Sequence, residues 1–211
     1  MNKTQLTDFI TKYTLGGEIK STKWTSNGNS LSTRFISGDK SVVGKVELSK
    51  FNHLSPCELG VYNTGQLSSL LSVLGDDVEV SLSQSGDKFI SMEFEDTNRK
   101  TKSKYMLSDL SVIPTPPALK NLPDTFELGI KVDAYFINTF ISGKGALAEA
   151  ETFTILTENN ETKIVIGYAS IASNRVTIPV ETTKYQDIEP ISFNANMFAS
   201  ILNANKDCES A

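Results

Sequence analysis

The residues from which metal sites and nucleophilic centres are usually assembled are scarce here: one histidine, His53, and two cysteines, Cys57 and Cys208, among 211 residues. Two distant cysteines, in a chain whose first residues MNKTQLTDFITKY hold no uninterrupted apolar stretch, predict isolated thiols in a reducing compartment rather than a disulfide. No apolar run approaches the ~20 residues of a membrane span. No membrane is therefore expected, and the cytoplasm (a host cell's, if the protein is viral) is the expected compartment. Also absent are a Walker A loop, a dinucleotide fingerprint, a CxxC pair and a G-x-S-x-G elbow; GGEIK and SGKGA are short glycine turns. Neither an enzyme nor a cofactor is expected. Basic excess is missing too. With 20 basic and 25 acidic residues the net charge is −5, which argues against wholesale coating of nucleic acid but allows a basic strip on an acidic body.

What is present is a repeat. VYNTGQLSSLLSVLGDDVEV, residues 61–80, aligns without a gap on SFNANMFASILNANKDCESA, residues 192–211, sharing Asn63 with Asn194, Ser69 with Ser200, Leu71 with Leu202 and Asp76 with Asp207. Leu67, Leu70, Leu71 and Leu74 fall on one face of a helix, and Asn63 stands where a side-chain oxygen caps the first turn. The template recurs with Asn2 ahead of Leu6, Phe9, Ile10 and Tyr13, with Asp133 ahead of Ile137, Phe140 and Ile141, and with Asn194 ahead of Phe198, Ile201 and Leu202. The caps are spaced by 61, 70 and 61 residues, so positions 2 and 133, and positions 63 and 194, are both 131 apart. Such spacing describes a half-domain doubled into a domain, and the domain doubled into the chain.

Alternating stretches such as SLSTRFIS, SVVGKVEL, DVEVSLS, KFISMEFE, KSKYML, TFTILTE, TKIVIGYA and RVTIPVE read as strands, giving strand, helix and three strands per unit. The expected fold class is α+β, with one domain at 1–107 (half-repeats 1–50 and 55–107) and a second at 125–211. Between them SDLSVIPTPPALKNLPD, residues 108–124, holds four of the seven prolines and reads as an extended connector. The fourth unit stops after its helix. By the repeat period, about 27 residues carrying three strands are expected to be missing from the end.

The stretch ELGVYNTGQLSSLLSVLGDDVEVSLSQSGDKFISMEF, Glu58–Phe94, resembles the DNA polymerase sliding clamps, most of all those of T-even-type bacteriophages, as does ELGIKVDAYFINTFISGKGALAEAETFTILTENNETKIVIG more weakly. The resemblance implies a DNA-clamp fold assembled as a homotrimeric ring, with helices lining the hole and sheets outside. Such a ring encircles double-stranded DNA without reading its sequence. It tethers the replicative DNA polymerase by topology and is opened by a clamp loader. On that footing the lysines expected to face DNA are Lys3, Lys12, Lys144 and Lys206, loose phosphate contacts being what a sliding body needs. The second helix departs from this, offering only Gln66, Ser68, Ser69 and Ser72. The alternative is that these lysines are simply solvated. In clamps, partner proteins insert a short hydrophobic tail near the connector, which makes Val112, Ile113, Pro114, Pro116 and Leu119 candidates for that pocket. The alternative is that the five merely pack the connector onto the sheets.

Other features have plain readings. Lys100, Lys102 and Lys104 in NRKTKSK share one face of a strand and are expected to keep a sheet surface soluble. Asp76, Asp77 and Glu79 read as a helix exit followed by a strand, without metal, and His53 as a loop residue. Competing classes are a β-rich phage structural protein of the tail or capsid, with no DNA-tethering role, and a β-barrel carrier. Neither predicts four capped helices at these intervals.

Overall fold

In a computed structural model that describes residues 1–118, 125–169 and 173–207, four helices begin immediately after an Asn or Asp: α1 (Lys3–Thr14), α2 (Thr64–Ser72), α3 (Ala134–Ala146) and α4 (Ala195–Ala204). The Asn2 side chain accepts from the Thr4 amide at 2.8 Å, Asn63 from Gln66 at 3.0 Å, Asp133 from Phe136 at 2.9 Å and Asn194 from Met197 at 2.9 Å. Each bond satisfies one amide that the helix cannot pair internally. Helical spacing then decides what is buried: Leu6, Phe9, Ile10 and Tyr13 on α1, Leu67 and Leu71 on α2, Phe136, Ile137 and Phe140 on α3, Met197 and Leu202 on α4. Leu70, Ile141, Phe198 and Ile201 are half-buried.

The chain divides into two compact units, Met1–Leu119 and Lys120–Ala211. In the first, β1 (Thr22–Ser26), β2 (Ser30–Ile36), β3 (Val43–Ser49) and β4 (Cys57–Val61) form an antiparallel sheet in the order β3-β2-β1-β4. After α2, β5 (Val78–Ser85), β6 (Lys88–Asp96) and β7 (Lys102–Met106) form a second sheet in sequence order. The second unit contains β8 (Gly129–Ile130), β9 (Thr152–Glu158), β10 (Glu161–Ile166), β11 (Val176–Val180), β12 (Thr182–Lys184) and β13 (Ile191–Asn194). Its sheet runs β11-β10-β9-β13, and β12 pairs with β8. None of these sheets closes into a barrel.

The two orders are the same order. Helix, three strands, a fourth strand beside the first, then a second helix occur in both units. The first residues of α1 and α3, of α2 and α4, and of β2 and β10 are each 131 apart. In the first unit α1 packs on α2, and in the second α3 packs on α4.

The cores differ in chemistry. In the first unit Phe9, Tyr13 and Trp24 meet edge to face, with Phe9 and Trp24 centroids 5.4 Å apart. The Trp24 indole N–H donates to the Tyr13 hydroxyl at 3.2 Å, which donates to Thr64 at 3.4 Å, so one buried chain ties α1 and β1 to the start of α2. Burial pushes the Tyr13 phenol well above its ordinary pKa. In the second unit Phe140, Phe153 and Phe198 form an apolar cluster with centroids 4.8–5.1 Å apart, backed by Ile164, Ile166 and Ile178.

Two edges also differ. Gly60 on β4 bridges Ser108, and the Ser108 carbonyl lies where a Cβ would stand, so only glycine admits this approach. Its counterpart β13 is exposed along its whole length, Ile191 and Phe193 being 44% and 46% exposed. The described residues run to Asp207 and hold no strands after α4.

Candidate functional site

Two surfaces carry the functional expectations: the solvent faces of the helices and the connector. The helix faces are built mainly from short polar groups, joined by the exposed carboxylate of Asp8 on α1 and the ring of Tyr135, 76% exposed, on α3. Thr4, Gln5, Thr7 and Thr11 are exposed on α1, Gln66, Ser69 and Ser72 on α2, Asn138 and Ser142 on α3, Asn196 and Asn203 on α4. Several of these hydroxyls donate back into their own helix: Thr7 to the Lys3 carbonyl at 3.1 Å, Thr11 to Thr7 at 2.9 Å and Ser69 to Gly65 at 3.0 Å. Their protons are thereby occupied and their acceptor lone pairs face outward.

The four lysines assigned to this surface are not equivalent. Lys3 is half-buried and its amine donates to the Leu74 carbonyl just past α2, capping the end of the neighbouring helix. Lys12, in the last turn of α1, is half-buried. Lys144 is 7% exposed, and its amine donates to the Ala148 carbonyl at 2.7 Å and to Leu147 at 3.4 Å. It closes the C-terminus of α3 and offers no charge to solvent. The signal was in the spacing, because Lys144 stands four residues after Phe140 and shares its buried face. Lys206 is exposed, but in the turn beyond α4 rather than on the helix.

The connector begins at a cap. Asp109 accepts from the Ser111 amide at 3.0 Å and pairs with Lys88 at 2.5 Å, holding Leu110–Val112 in a single 3₁₀ turn. Those bonds keep the Asp109 carboxyl well below the ordinary carboxylate range, the Lys88 hydrogen bond first among them. Beyond the turn Ile113 is 3% exposed against Gly60, and Pro116 is buried, so both pack the connector down. Val112 is 58% exposed and Pro114 is exposed. Leu119 lies outside the described residues.

Two grooves flank this segment, both within the first unit. One, of about 400 Å³, lies against its start and is lined by Phe89, Ile90, Leu107 and Leu110 with Glu58 and Lys88 at its rim. Ile90 and Met106 beside it are 38% and 61% exposed. The sequence alone did not single these out, since alternation in β6 and β7 says which residues share a face but not which face is covered. The other groove, of about 300 Å³, joins Pro114 and Pro116 to Ile19 and Ile36, with Lys20 and Arg34 beside them. Of the four connector residues described, Ile113 packs, Pro116 packs and lines the second groove, Pro114 lines that groove from an exposed position, and Val112 is exposed without lining either groove.

No family model matches the chain, and no curated protein shows a significant match. The arrangement must be judged on its own chemistry.

That chemistry is one of surfaces. Among the described residues no group of three or more His, Cys, Asp or Glu is placed to hold a metal ion. Lys100 and Lys102 pair with Glu95, and Lys104 with Glu93 at 2.8 Å, so this face of β6 and β7 is a set of cross-strand ion pairs. His53 is exposed and stands edge-on to Phe51. No helix among the described residues is long and apolar enough to cross a membrane.

Proposed function

We propose that this chain is a subunit of a sliding clamp of the DNA-clamp fold, which encloses duplex DNA as a homotrimeric ring and holds a replicative polymerase to its template. The supporting observation is the doubled architecture: one helix-and-sheet unit recurs, its helices 131 residues apart and its strands 130–134 apart, with the same cap chemistry and the same strand order. Repetition within a subunit and closure between subunits generate one symmetry, which is how a ring of equivalent faces is built from a short chain.

The helix faces fit a sliding body better than a gripping one. Hydroxyls and amides contact a phosphate backbone through water, without the bidentate cation contacts that fix position or read bases. Polymerase and loader would dock through the connector grooves, where Pro114 is open and apolar surface adjoins charge. The expected roles of Lys3, Lys12 and Lys206 reduce to a modest field at the helix ends, and Lys144 has none.

The test is the mass of the protein in solution, by light scattering. A three-subunit mass at micromolar concentration, together with retention on a closed circular duplex that is lost when the circle is cut, is the expected result. A strict monomer, or an oligomer indifferent to the topology of the DNA, would overturn the proposal.

A further inference from the structure

The outward face of the first sheet carries an arrangement that ring formation does not explain. Lys23 on β1 stands directly opposite Arg34 on β2, and Arg34 directly opposite Lys45 on β3. Three cations thus form one row across three strands, spaced by the ~4.8 Å between neighbouring strands. Like charges directly opposite one another destabilise an antiparallel pair. Elsewhere the like charges that stand opposite one another, Glu79 with Glu95 and Glu158 with Glu161, have a cation on one member, Lys102 on Glu95 and Lys163 on Glu161, each at 2.9 Å. In the row only Lys45 has a carboxylate, Glu47 on its own strand at 2.7 Å, and no ion pair reaches Lys23 or Arg34 among the described residues. Lys45 alone would be an edge-strand charge that blocks aggregation. Lys23 and Arg34 lie on inner strands, where that role does not apply.

Arg34 also lines the 300 Å³ groove, where Ile19, Ile36 and Pro114 provide an apolar wall and Lys20 a fourth cation. We propose that this face docks an acidic peptide segment of a partner protein, its carboxylates on Lys23, Arg34 and Lys45 and one apolar side chain in the adjoining groove. The next row of the same face is bounded by Glu58 and Glu47, and Glu18 stands at the groove. Those flanking carboxylates repel any polyanion, so they confine the anion to the row itself, whereas the apolar wall has use only for a chain that carries apolar side chains. The apolar wall favours a peptide over a nucleic acid. Ring formation plays no part, so a monomeric protein that binds the peptide would sustain this inference while overturning the ring.

The experiment is fluorescence anisotropy on the whole chain with a labelled peptide of five Asp-Leu repeats, beside its Asn-Leu counterpart. Saturable binding of the acidic peptide only, weakened at least tenfold by Arg34→Glu and similarly by Lys23→Gln with Lys45→Gln, is the expected result. The melting temperature of the variants should hold or rise, because repulsion is relieved; a residue serving only the fold would lower it. Equal binding of the Asn-Leu peptide, or no saturable binding, would overturn the proposal. So would displacement of the peptide by a duplex or single-stranded oligonucleotide at lower concentration, which would assign the row to nucleic acid.

Discussion

At the scale of single residues, the helix caps carry information out of proportion to their size. An Asn or Asp oxygen on a first-turn amide is a local bond, formed with a residue two or three positions away, so the sequence is enough to foresee it. Replacing Asn63 by Ala should cost about 1 kcal/mol, measured as a fall in unfolding free energy in urea with an unchanged slope. Lys144 teaches the opposite lesson. Its charge suggested solvent, whereas its position on the face of Phe140 sends the stem inward and leaves the amine to find carbonyls. Lys144→Gln should lower stability by about 1–2 kcal/mol while leaving retention on circular DNA unchanged. A variant of normal stability that slips from the circle would reinstate Lys144 as a DNA contact. Asp96 supplies a third case. Buried at the end of β6, it accepts from the Arg99 and Asn98 amides at 2.8 Å and from Gly75 at 2.7 Å. These bonds, Arg99 first, hold its pKa below the ordinary 3.8. With the folded value the lower one, its stabilisation is complete above the unfolded pKa and is lost as pH falls through the folded value. Asp96→Asn should therefore destabilise at neutral pH and flatten the acid limb of the stability–pH curve. A limb of wild-type steepness would show that other carboxylates carry it.

At the scale of elements, the strands that were legible are those whose alternation is long. β2, β6 and β9 lie within a residue of where period-two patterning sets them. The short β12 escapes such a reading, because three residues carry no period. It exists through distant partners: Thr182 opposite Ile130, and Lys131 paired with Glu181 at 3.0 Å. Register is equally non-local, which is why a sequence listing Lys23, Arg34 and Lys45 does not reveal a row. Turns are intermediate. The Asn159–Asn160 pair between β9 and β10 has φ of 52° and 63°, the left-handed pair that a two-residue hairpin requires. Asn160→Gly should stabilise by a few tenths of a kcal/mol, its amide bond to the Tyr185 hydroxyl remaining available. A rise of about 1–2 °C in melting temperature would record it; a fall would mean that the Asn160 side chain contributes more than its backbone.

At the scale of the whole molecule, charge is divided unevenly. The first unit carries 13 basic and 13 acidic residues, the second seven and twelve, so the net charge of −5 belongs entirely to the second. The doubling of the architecture was legible in the sequence because cap spacing survives when side chains diverge; the charge on its helices was misread because pattern does not report what is covered. With Lys144 buried and Lys3 tied to a carbonyl, few cations remain to displace counterions from DNA. Each neutralised phosphate contributes a slope of about −0.9 to the dependence of log affinity on log salt. Binding to a linear duplex should accordingly be weak, with a dissociation constant above about 10 μM at physiological salt, and its slope should stay shallow. Retention on a closed circle should be nearly independent of salt, since threading needs no ion pair. The two measurements separate a tether from an adhesive. Tight binding to linear DNA, with a steep slope and no dependence on closure, would mean that the protein holds DNA by charge, through residues other than those on its helices.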